Sequence, residues 1–407
     1  MEAAPKVSIV NTEIGPFPDD WQVVRLDSIG RVKGGKRLPL GKSLTDKIGE
    51  HPYIRVSDMR GGSVDQSKLL YVPDEIFPLI RNYTISCDDL FISVAGTLGL
   101  IGRVPPGLSG ANLTENADKI TDLHCDRDYL YYCLSSQRIQ LEIDAKRTIG
   151  AQPKLAIQQI EAFRIPLPPS IEEQKHIART LTDIDDLIAS LDAVIAKKRD
   201  IKQAAMQQLL TGKMRLPRFK GEWPERKLGT EIKMQVGFPF ASRFFNRGGQ
   251  GTKLVRNRDL HGTPDDTYYA GPFDDDYLIT NGDVLVGMDG DFRPCLWAGG
   301  RALLNQRVGR IKCKSGRRAL FFYYLLESHL AELEKKIAGT TVKHLSHSDV
   351  ENITCCFPEN LEEQSAIGSL LRDMDNEIEM LEIKLSKAAV LKHGMMQQLL
   401  TGRIRLV

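Results

Sequence analysis

The chain has 407 residues, 42% of them hydrophobic, and a formal net charge of +2. This length suggests two or three domains with cores of their own. No apolar run approaches the ~20 residues of a membrane span, and the N-terminal residues lack the charged-then-apolar build of a signal peptide. The seven cysteines are an odd number without a C-x-x-C pair, which argues against a disulfide framework or a zinc site. We expect reduced thiols in a cytoplasmic protein.

An internal repeat is the strongest pattern in the sequence. At an offset of 190 positions, Glu172–Leu216 aligns with Glu362–Leu406 without a gap, and 20 of the 45 pairs are identical. Each copy opens with Glu-Glu-Gln, four residues after Pro168 or Pro358, and closes with Met-Gln-Gln-Leu-Leu-Thr-Gly. The chain therefore contains the same long segment twice.

Apolar residues within each copy follow a 4-3-4-3-4 spacing, which places one narrow apolar seam on a helix. The seam residues are Ile177, Leu181, Ile184, Ile188, Leu191 and Ile195 in the first copy, and Ile367, Leu371, Met374, Ile378, Leu381 and Leu385 in the second. One such segment alone would fit an ordinary buried helix. Two copies in the same register favour two long helices that pack on each other, and a helix of about 40 residues is ~60 Å long.

A weaker repeat precedes each helix. In chain order, the matched stretches are "PFPDDWQVVRL" and "RFKGEWPERKL", "IRVSDMRG" and "VRNRDLHG", "CDDLFISVAG" and "NGDVLVGMDG", "LYYCLSS" and "FYYLLES", and "GAQPKL" and "GTTVKHL". Their order is kept while their identity is low. The chain is thus predicted to hold two globular modules with similar scaffolds and different surfaces, each followed by a long helix.

Basic residues are concentrated in three stretches that contain no acidic residue. They are Arg31, Lys33, Lys36, Arg37 and Lys42; Arg243, Arg247, Lys253, Arg256 and Arg258; and Arg293, Arg301, Arg307, Arg310, Lys312, Lys314, Arg317 and Arg318. Such stretches give each module a positive side, for which the phosphate backbone of a nucleic acid is the natural partner. Solvated surface charge is the alternative interpretation of any one stretch.

Catalytic and cofactor motifs are not apparent in the sequence. "GGKRLPLGKS" resembles a phosphate loop, but five residues separate Gly35 from Gly41 where the P-loop has four. No Asn/Asp-Pro-Pro-aromatic tetrapeptide of amino-methyltransferases occurs, and no G-x-G-x-x-G follows an apolar strand. His344 and His347 are the only close histidine pair, and we favour a DNA-contacting or loop role for them over metal binding.

Two variable modules, two similar helices opened by P-x-x-x-EEQ, and a W-x-x-x-x-L start in each module (Trp21 to Leu26, Trp223 to Leu228) resemble the specificity subunit of type I restriction-modification systems. The resemblance covers nearly the whole chain. It implies a non-catalytic subunit in which each module is a target-recognition domain that reads one half of a split DNA sequence.

The expected fold is α+β, with two tandem-repeated target-recognition domains joined by two long antiparallel coiled-coil helices in a pseudo-twofold arrangement. The predicted boundaries are 1–165 and 216–356 for the recognition domains, and 166–215 and 357–407 for the spacer helices. By the repeat symmetry, we expect the C-terminus to lie close to Phe17. A duplicated reader of this kind predicts a bipartite, asymmetric target whose half-site spacing the helices set.

The resemblance assigns catalysis to partners: two modification subunits that use S-adenosylmethionine, and restriction subunits that use ATP, with Mg²⁺. No cofactor is expected on this chain. Exposed positions on the helices are candidate docking sites for the modification subunits: Arg179, Asp183, Asp186, Lys198, Arg372, Asp373 and Glu377. Helix-solvating charge is an equally good interpretation of each.

Candidate DNA-binding residues lie in matched loops rich in side chains that can read base edges or contact phosphates. In the first module they are Lys33, Lys36, Arg37, Arg55, Ser57, Arg60, Asn112, Thr114, Asn116, Gln152 and Lys154. In the second they are Arg243, Arg247, Arg256, Asn257, Arg258, His261, Arg293, Asn305, Gln306, Arg307, Thr340, Thr341, Lys343 and His344. Asp58 and Asp259 occupy matched positions that fit a structural turn better than base reading.

Two alternatives from other classes stay open. A coiled-coil scaffold that joins protein partners without reading DNA would show no affinity for duplex DNA, and it leaves the basic stretches unexplained. A nuclease or methyltransferase acting alone would need a catalytic cluster. No Pro-Asp is closely followed by Glu-x-Lys, and the methyltransferase tetrapeptide does not occur.

Overall fold

The computed structural model describes residues 8–146, 154–262, 265–314, 319–337 and 344–406. The chain divides into two compact units. The first unit is Met1–Ser190 with Leu385–Val407, and the second unit is Leu191–Lys384. Each unit therefore holds one module together with part of each repeated segment. Among the helices of the described residues, none is long and apolar enough to cross a membrane.

The first unit is built from short strands and a few helices. Its strands are β1 (Ile9–Thr12), β2 (Gly15–Pro18), β3 (Gln22–Arg25), β4 (Arg31–Gly34), β5 (Pro52–Ile54), β6 (Met59–Arg60), β7 (Ser63–Val64), β8 (Leu70–Tyr71), β9 (Thr84–Ile85), β10 (Leu90–Ser93), β11 (Ile101–Arg103), β12 (Ala111–Leu113), β13 (Ala117–Thr121) and β14 (Arg164–Leu167). Its helices are α1 (Phe77–Ile80), α2 (Arg127–Ser135), α3 (Gln137–Ala145), α4 (Ile157–Glu161) and the start of α5 (Ile171–Leu209).

The second unit repeats this construction. Its strands are β15 (Glu225–Lys227), β16 (Ile232–Val236), β17 (Phe245–Asn246), β18 (Thr252–Val255), β19 (Tyr268–Tyr269), β20 (Leu278–Ile279), β21 (Val284–Gly287), β22 (Pro294–Leu296), β23 (Ala302–Leu304), β24 (Val308–Cys313) and β25 (Thr354–Cys356). Its helices are α6 (Ala319–Ile337), α7 (His347–Glu351) and the start of α8 (Leu361–Leu399).

Sheet topology is the same in the two units. An antiparallel sheet in the order β11-β10-β13-β4 corresponds to β22-β21-β24-β16, and a mixed sheet β8-β5-β12-β9 corresponds to β19-β18-β23-β20, which β17 extends. In each mixed sheet one pair is parallel, β5 with β12 and β18 with β23. Strands β10 and β21 are buried along their whole length because helices or loops cover both faces. The α+β prediction is confirmed.

The two 39-residue helices, α5 and α8, occupy the repeated segments. Every seam position is buried or half-buried, and Ile177, Leu181, Ile367 and Leu371 are almost completely buried. The helices lie inside the ranges predicted for the spacers. The compact units divide within both helices, so each unit takes the first half of one helix and the last part of the other.

The opening P-x-x-x-EEQ phrase has a structural function in both units. The amide Nε2 of Gln174 donates to the carbonyl oxygen of Pro168 at 2.9 Å, and Gln364 donates to Pro358 at 2.6 Å. These bonds are buried, and they fix the chain as it turns into α5 or α8. The motif therefore sets the direction in which each helix leaves its module.

The glycine of the Met-Gln-Gln-Leu-Leu-Thr-Gly phrase ends each helix. Gly212 and Gly402 have φ of +71° and +65°, a left-handed conformation that terminates helices and favours glycine. A Cβ on Gly402 would lie 2.4 Å from Pro18 and 3.3 Å from Trp21. The glycine thus allows the tail of α8 to approach the start of the first module closely.

An arginine of each tail forms an ion pair with a buried glutamate of the other repeated segment. Arg405 binds Glu173 in the first unit, with Nη2 at 2.8 Å, and also contacts Asp20 at 2.9 Å. Arg215 binds Glu363 in the second unit, with Nη2 at 2.6 Å. The phrase occurs twice because each module needs one tail, and the tail comes from the other segment.

The predicted position of the C-terminus is confirmed. Phe17 and Trp21 share a buried core with Leu399 and Leu400, within the first unit. In the second unit, Leu209 and Leu210 are part of the corresponding core.

A tyrosine, an aspartate and a lysine join each module to the two helix segments of its unit. Tyr132 donates to Asp185 at 2.8 Å, and Lys392 pairs with the same carboxylate at 2.6 Å. The equivalents are Tyr324 to Asp375 at 2.6 Å and Lys202 to Asp375 at 2.5 Å. The two helix segments of each unit are antiparallel. In the first unit, position 185 contacts position 392 and position 173 contacts position 405. In the second unit, position 375 contacts position 202 and position 363 contacts position 215.

Candidate nucleic-acid interface

Four matched segments converge on one face of the first unit. The loop after β4 is held by the N–H of Lys36, which donates to the carbonyl of Leu113 at 2.8 Å. The loop after β10 is held by the N–H of Val94, which donates to Asn116 at 2.8 Å, and Leu155 donates to Val94 at 2.9 Å. Backbone hydrogen bonds therefore bring together segments that are up to 120 positions apart in the sequence.

The second unit has the same framework. The N–H of Phe238 donates to Leu304 at 2.9 Å, and the N–H of Leu345 donates to Met288 at 2.8 Å. An isolated bridge joins Ala95 to Lys154 in the first unit, and another joins Asp289 to His344 in the second. The segments aligned by weak sequence similarity are thus equivalent in space.

Glycine is required where the first of these loops crosses the chain before β13 or β24. A Cβ on Gly35 would lie 2.0 Å from the carbonyl oxygen of Thr114, and one on Gly237 would lie 2.1 Å from that of Asn305. Real Cβ atoms do not approach backbone oxygens so closely, so any side chain would separate the two loops. This explains the matched Gly35 and Gly237.

Basic side chains surround a cleft of about 680 Å³ in the first unit. We call it the Asp118 cleft, and its lining includes Lys36, Arg37, Glu115, Asp118, Lys154 and Gln158. Arg37 is 78% exposed and its Nε donates to Glu115 at 2.7 Å. Burial acts to raise the pKa of Glu115, but the hydrogen bond from Arg37 and other bonds hold it below its usual range. Glu115 therefore orients Arg37 towards solvent as an anchored cation.

The remaining predicted residues of the first unit divide by exposure. Lys33 is exposed and lies 3.5 Å from Asp122, and Ser57 and Arg60 are exposed on the turn between β5 and β7. Asn116 is half-buried, and its carbonyl oxygen accepts from the loop after β10.

Asn112 and Thr114 correct the sequence-based prediction. Asn112 is 1% exposed, and its Nδ2 donates to the carbonyl oxygen of Ile80 at 2.8 Å. Thr114 is 5% exposed and donates to Glu115 at 3.0 Å. Both side chains are buried and bonded to other parts of the chain, so they do not belong to the candidate interface.

Arg55 and Arg256 also have structural roles. Nη2 of Arg55 donates to the buried Asp58 at 2.7 Å and to the carbonyl oxygen of Lys68 at 2.9 Å. Nη2 of Arg256 donates to Asp259 at 3.3 Å and to the carbonyl oxygen of Asp265 at 3.0 Å. The expectation of structural turns at Asp58 and Asp259 is confirmed. Satisfying these carboxylates is a structural role of the two arginines that the sequence-based prediction did not include.

In the second unit, five predicted residues meet around the loop after β21, residues 288–293. The Nδ2 of Asn257 donates to the carbonyl oxygen of Asp289 at 2.7 Å, and Nδ1 of His344 lies 2.8 Å from the Asp289 carboxylate. Nε of Arg307 lies 3.5 Å from the same carboxylate. Two further contacts lie at this loop. Nε2 of His261 lies 2.8 Å from the carbonyl oxygen of Arg293, and Nη2 of Arg293 donates to the Asp291 carboxylate at 2.6 Å.

The pKa of Asp291 is held below its usual range mainly by the hydrogen bond from Arg293. Arg293, Arg307 and His344 remain about half exposed. The loop therefore presents cations and an imidazole at one place, as phosphate and base contacts require. The Asn257 amide supports the loop instead, because its Oδ1 is buried and its Nδ2 is bonded to Asp289.

Other predicted residues of the second unit lie on separate parts of its surface. Arg247 and Arg258 are exposed and approach Asp265 at 3.2 and 3.9 Å. Arg243 lies over the ring of Phe244 at 5.0 Å. Gln306 is exposed and Asn305 half-buried. Gln152, Thr340, Thr341 and Lys343 lie outside the described residues.

Arg310, from the longest basic stretch, is not on the surface. It is 9% exposed, and its guanidinium donates to Gln235 at 2.6 Å and to the carbonyl oxygens of Leu278 and Asp276, each at 2.6 Å. Counting charges along the sequence could not separate this structural arginine from exposed ones.

Sequence reasoning missed two residues of these faces. Phe238 is 43% exposed, and its ring centroid lies 5.2 Å from that of Phe240, edge to face, and 5.2 Å from that of Tyr277, at a tilt of 50°. Asp118 forms the floor of the Asp118 cleft. An alignment of the two modules on Gly35 and Gly237 would have identified both residues. It matches Phe238 with Lys36 and Asp118 with Gly309, and the two residues of each match differ in chemistry.

The helix positions expected to dock partners are mostly exposed. Arg179, Asp183, Asp186 and Asp373 are exposed, and Arg372 is half-buried. Lys198 and Glu377 instead pair with each other at 2.7 Å within the second unit. No group of three or more metal-ligating side chains occurs in the part of the chain that the structure describes.

A family model for the type I restriction modification DNA specificity domain matches residues 18–197 and again residues 219–388. The putative type I restriction enzyme MjaX specificity subunit of Methanocaldococcus jannaschii is 30% identical over 97% of this chain and 96% of its own length. The MjaVIII specificity subunit of the same organism is 29% identical over 95% of this chain and 94% of its own.

In fold, the chain is similar to the crystal structure of a type I restriction-modification S subunit from M. genitalium, with a TM-score of 0.63, 16% identity and 98% of both chains covered. Sequence and fold agree, and the chain belongs to the type I restriction-modification specificity subunits, with the DNA specificity domain present twice.

Proposed function

We propose that each unit reads one half of a bipartite, asymmetric duplex DNA target. The observation that carries this proposal is the shared framework of loops with different side chains. Lys36, Glu115 and Lys154 of the first unit stand where the second unit has Phe238, Gln306 and His344. Because base readout depends on the donors and acceptors presented, the two units read different sequences.

The two long helices set the separation of the half-sites in this proposal. Each helix contributes residues to both units, and matched ion pairs join the tail of each repeated segment to the start of the other. Reader separation determines half-site spacing in two-module DNA-binding proteins. Changes in helix length are therefore expected to change the number of unread base pairs.

Two modification subunits and the restriction subunits are the proposed protein partners, in the cytoplasm. The exposed Arg179, Asp183, Asp186 and Asp373 are the proposed docking positions on the helices. Lys198 and Glu377 hold the helices together instead. This chain is proposed to be non-catalytic. S-adenosylmethionine, ATP and Mg²⁺ are used by the partner subunits.

The test is to co-express the chain with the modification subunit encoded beside it, in a host lacking adenine methylation, and to map methylated adenines by single-molecule sequencing. The modification subunit alone is the control. We expect methylation confined to one split, asymmetric motif that requires this chain. A complex that forms without site-specific methylation would contradict DNA reading and support a protein scaffold.

A further inference from the structure

Asp118 differs from every other buried carboxylate in the described part of the chain. Six carboxylates are buried there: Asp58, Asp89, Asp118, Glu173, Asp259 and Glu363. Five of them have a cationic partner within 4 Å. The pairs are Asp58 with Arg55, Asp89 with Lys119, Glu173 with Arg405, Asp259 with Arg256, and Glu363 with Arg215. Among the described residues no side chain or N–H group makes a hydrogen bond or ion pair to the Asp118 carboxylate. The carboxylate of this buried residue therefore takes its hydrogen bonds from whatever occupies the cleft beside it, since buried polar groups in proteins are normally satisfied.

The position of Asp118 directs its carboxylate into the cleft. It lies on β13 opposite Gly34 of β4, and a Cβ on Gly34 would lie 3.5 Å from its Oδ1. The side chain is 4% exposed, and it borders the 680 Å³ Asp118 cleft. Glycine opposite the carboxylate therefore leaves open the approach that a larger residue would fill.

The cations around the cleft do not neutralise Asp118. Arg37 is bound to Glu115, and the Lys36 ammonium lies over the ring of Tyr83 at 5.4 Å. Burial raises the pKa of Asp118 to about 6, and Lys154 opposes that rise from a distance. Titratable groups perturbed in this way, within a cleft, are characteristic of functional sites.

The chemistry of the cleft selects what can enter it. Basic residues on the rim attract phosphates, while the carboxylate on the floor repels them and accepts hydrogen bonds only. In the major groove, cytosine and adenine present an exocyclic amino donor, whereas guanine and thymine present a carbonyl oxygen. A carboxylate acceptor thus favours cytosine or adenine over guanine or thymine.

We propose that Asp118 is a specificity-determining residue of the first unit, which accepts a hydrogen bond from the exocyclic amino group of a cytosine or adenine in the first half-site. This assignment rests on the proposed function. The second unit has no counterpart, since Gly309 occupies the matched position and the Met234 side chain fills the space beside it. The amino-group preference is therefore a property of one half of the target.

The experiment uses the full chain in complex with its modification subunits, after the wild-type motif has been mapped. Each cytosine of the first half-site is replaced by 2-pyrimidinone and each adenine by purine, which removes only the amino group. Affinity is measured for wild-type and D118A complexes. Alanine is chosen because the matched residue, Gly309, shows that this strand position does not require a carboxylate.

At one base, the wild-type complex is expected to lose about tenfold in affinity for the analogue, while the D118A complex changes by less than about twofold. Whether that base is cytosine or adenine identifies the amino group. Asp74 has a side chain 90% exposed and lies outside the cleft, so D74N is the matched control and should behave as wild type.

Equal analogue effects in the wild-type and D118A complexes at every cytosine and adenine would overturn the assignment and leave bipartite reading intact. A wild-type complex without site-specific methylation would overturn the proposed function and this assignment with it. If D118A fails to assemble, D118N is tested by motif mapping. Its amide also donates, so guanine or thymine should become accepted at one position of the first half-site, and an unchanged motif would overturn the assignment.

Discussion

The two recognition faces share one backbone framework and differ in how they use charge. In the first unit, cations surround a cleft with an unpartnered carboxylate, Asp118, on its floor. In the second unit, Asp289 is paired with His344 and Arg307, and the matched floor position is Gly309. A fixed framework with exchangeable side chains lets the readout of one half change without refolding the other.

The contacts that join the two repeated segments show the opposite behaviour. Arg405 with Glu173 and Arg215 with Glu363 are the same pair at an offset of 190. These residues are the same because each tail must bind the start of the other repeated segment. The duplicated chain is thus similar where it holds itself together and different where it faces its ligand.

The largest effect is expected from removing the repeated tail arginines. R405A leaves the buried Glu173 without its cation, and R215A does the same to Glu363, at a cost of about 3–5 kcal/mol each. Hydrogen exchange should show loss of protection in the first unit for R405A and in the second for R215A. Arg403 is exposed in the same tail, so R403A should change nothing. Equal protection in R405A and wild type would contradict the proposed role.

A pH-dependent difference is expected next for Asp118. Burial raises its pKa from 3.8 to about 6 in the folded chain, so the folded state holds a proton that the unfolded state has released in this window. Stability should therefore fall as pH rises from about 4 to about 6 and stay level above. The other charged groups that line this cleft are Lys36, Arg37, Glu115 and Lys154.

D118N lacks this loss, so its advantage over wild type in free energy of unfolding should grow to about 2 kcal/mol, allowing for solvent in the cleft. Urea unfolding at pH 4, 5, 6 and 7 measures this advantage. The charge-matched variant D74N should track the wild type. An advantage for D118N that is independent of pH would show that Asp118 does not titrate in this range.

DNA binding should weaken in one half at a time when exposed cations are removed. R37A should lower affinity about tenfold through the first half-site, and R307A similarly through the second. Each variant should also reduce the salt slope by about 1, because one fewer phosphate is neutralised. Each variant is titrated with duplexes in which one half-site is scrambled, at several salt concentrations, to show through which half-site the affinity is lost. Arg81 is exposed in the first unit, and R81A is the control. Uniform loss from both variants on both scrambled duplexes would contradict separate readers.

The smallest effect is expected from the matched tyrosines. Y132F removes a hydrogen bond to Asp185 and a longer one to Thr182, and Y324F removes one to Asp375, at about 1 kcal/mol for each aspartate bond. Lys392 or Lys202 still pairs with the carboxylate, which limits the loss. Thermal unfolding of the two variants should show similar shifts. A large shift in one only would show that the two attachments are not equivalent.

Local patterns predicted much of this protein. The 4-3-4-3-4 spacing predicted α5 and α8, because a helix must bury a continuous apolar stripe. The repeat offset predicted equivalent modules, and Asp58 and Asp259 were correctly interpreted as turn residues. These features depend on residues near each other in sequence or on the repeat itself, so the sequence by itself determined them.

Only the tertiary structure decided which polar residues are free to bind. Arg310 and Asn112 look like DNA contacts in the sequence, yet they are held by partners 75 and 32 positions away. Asp118 belongs to no motif in the sequence, and its role depends on the strands that bring Gly34 and Lys154 beside it. Burial and pairing arise from contacts between distant segments, and composition along the chain does not encode which donor meets which acceptor.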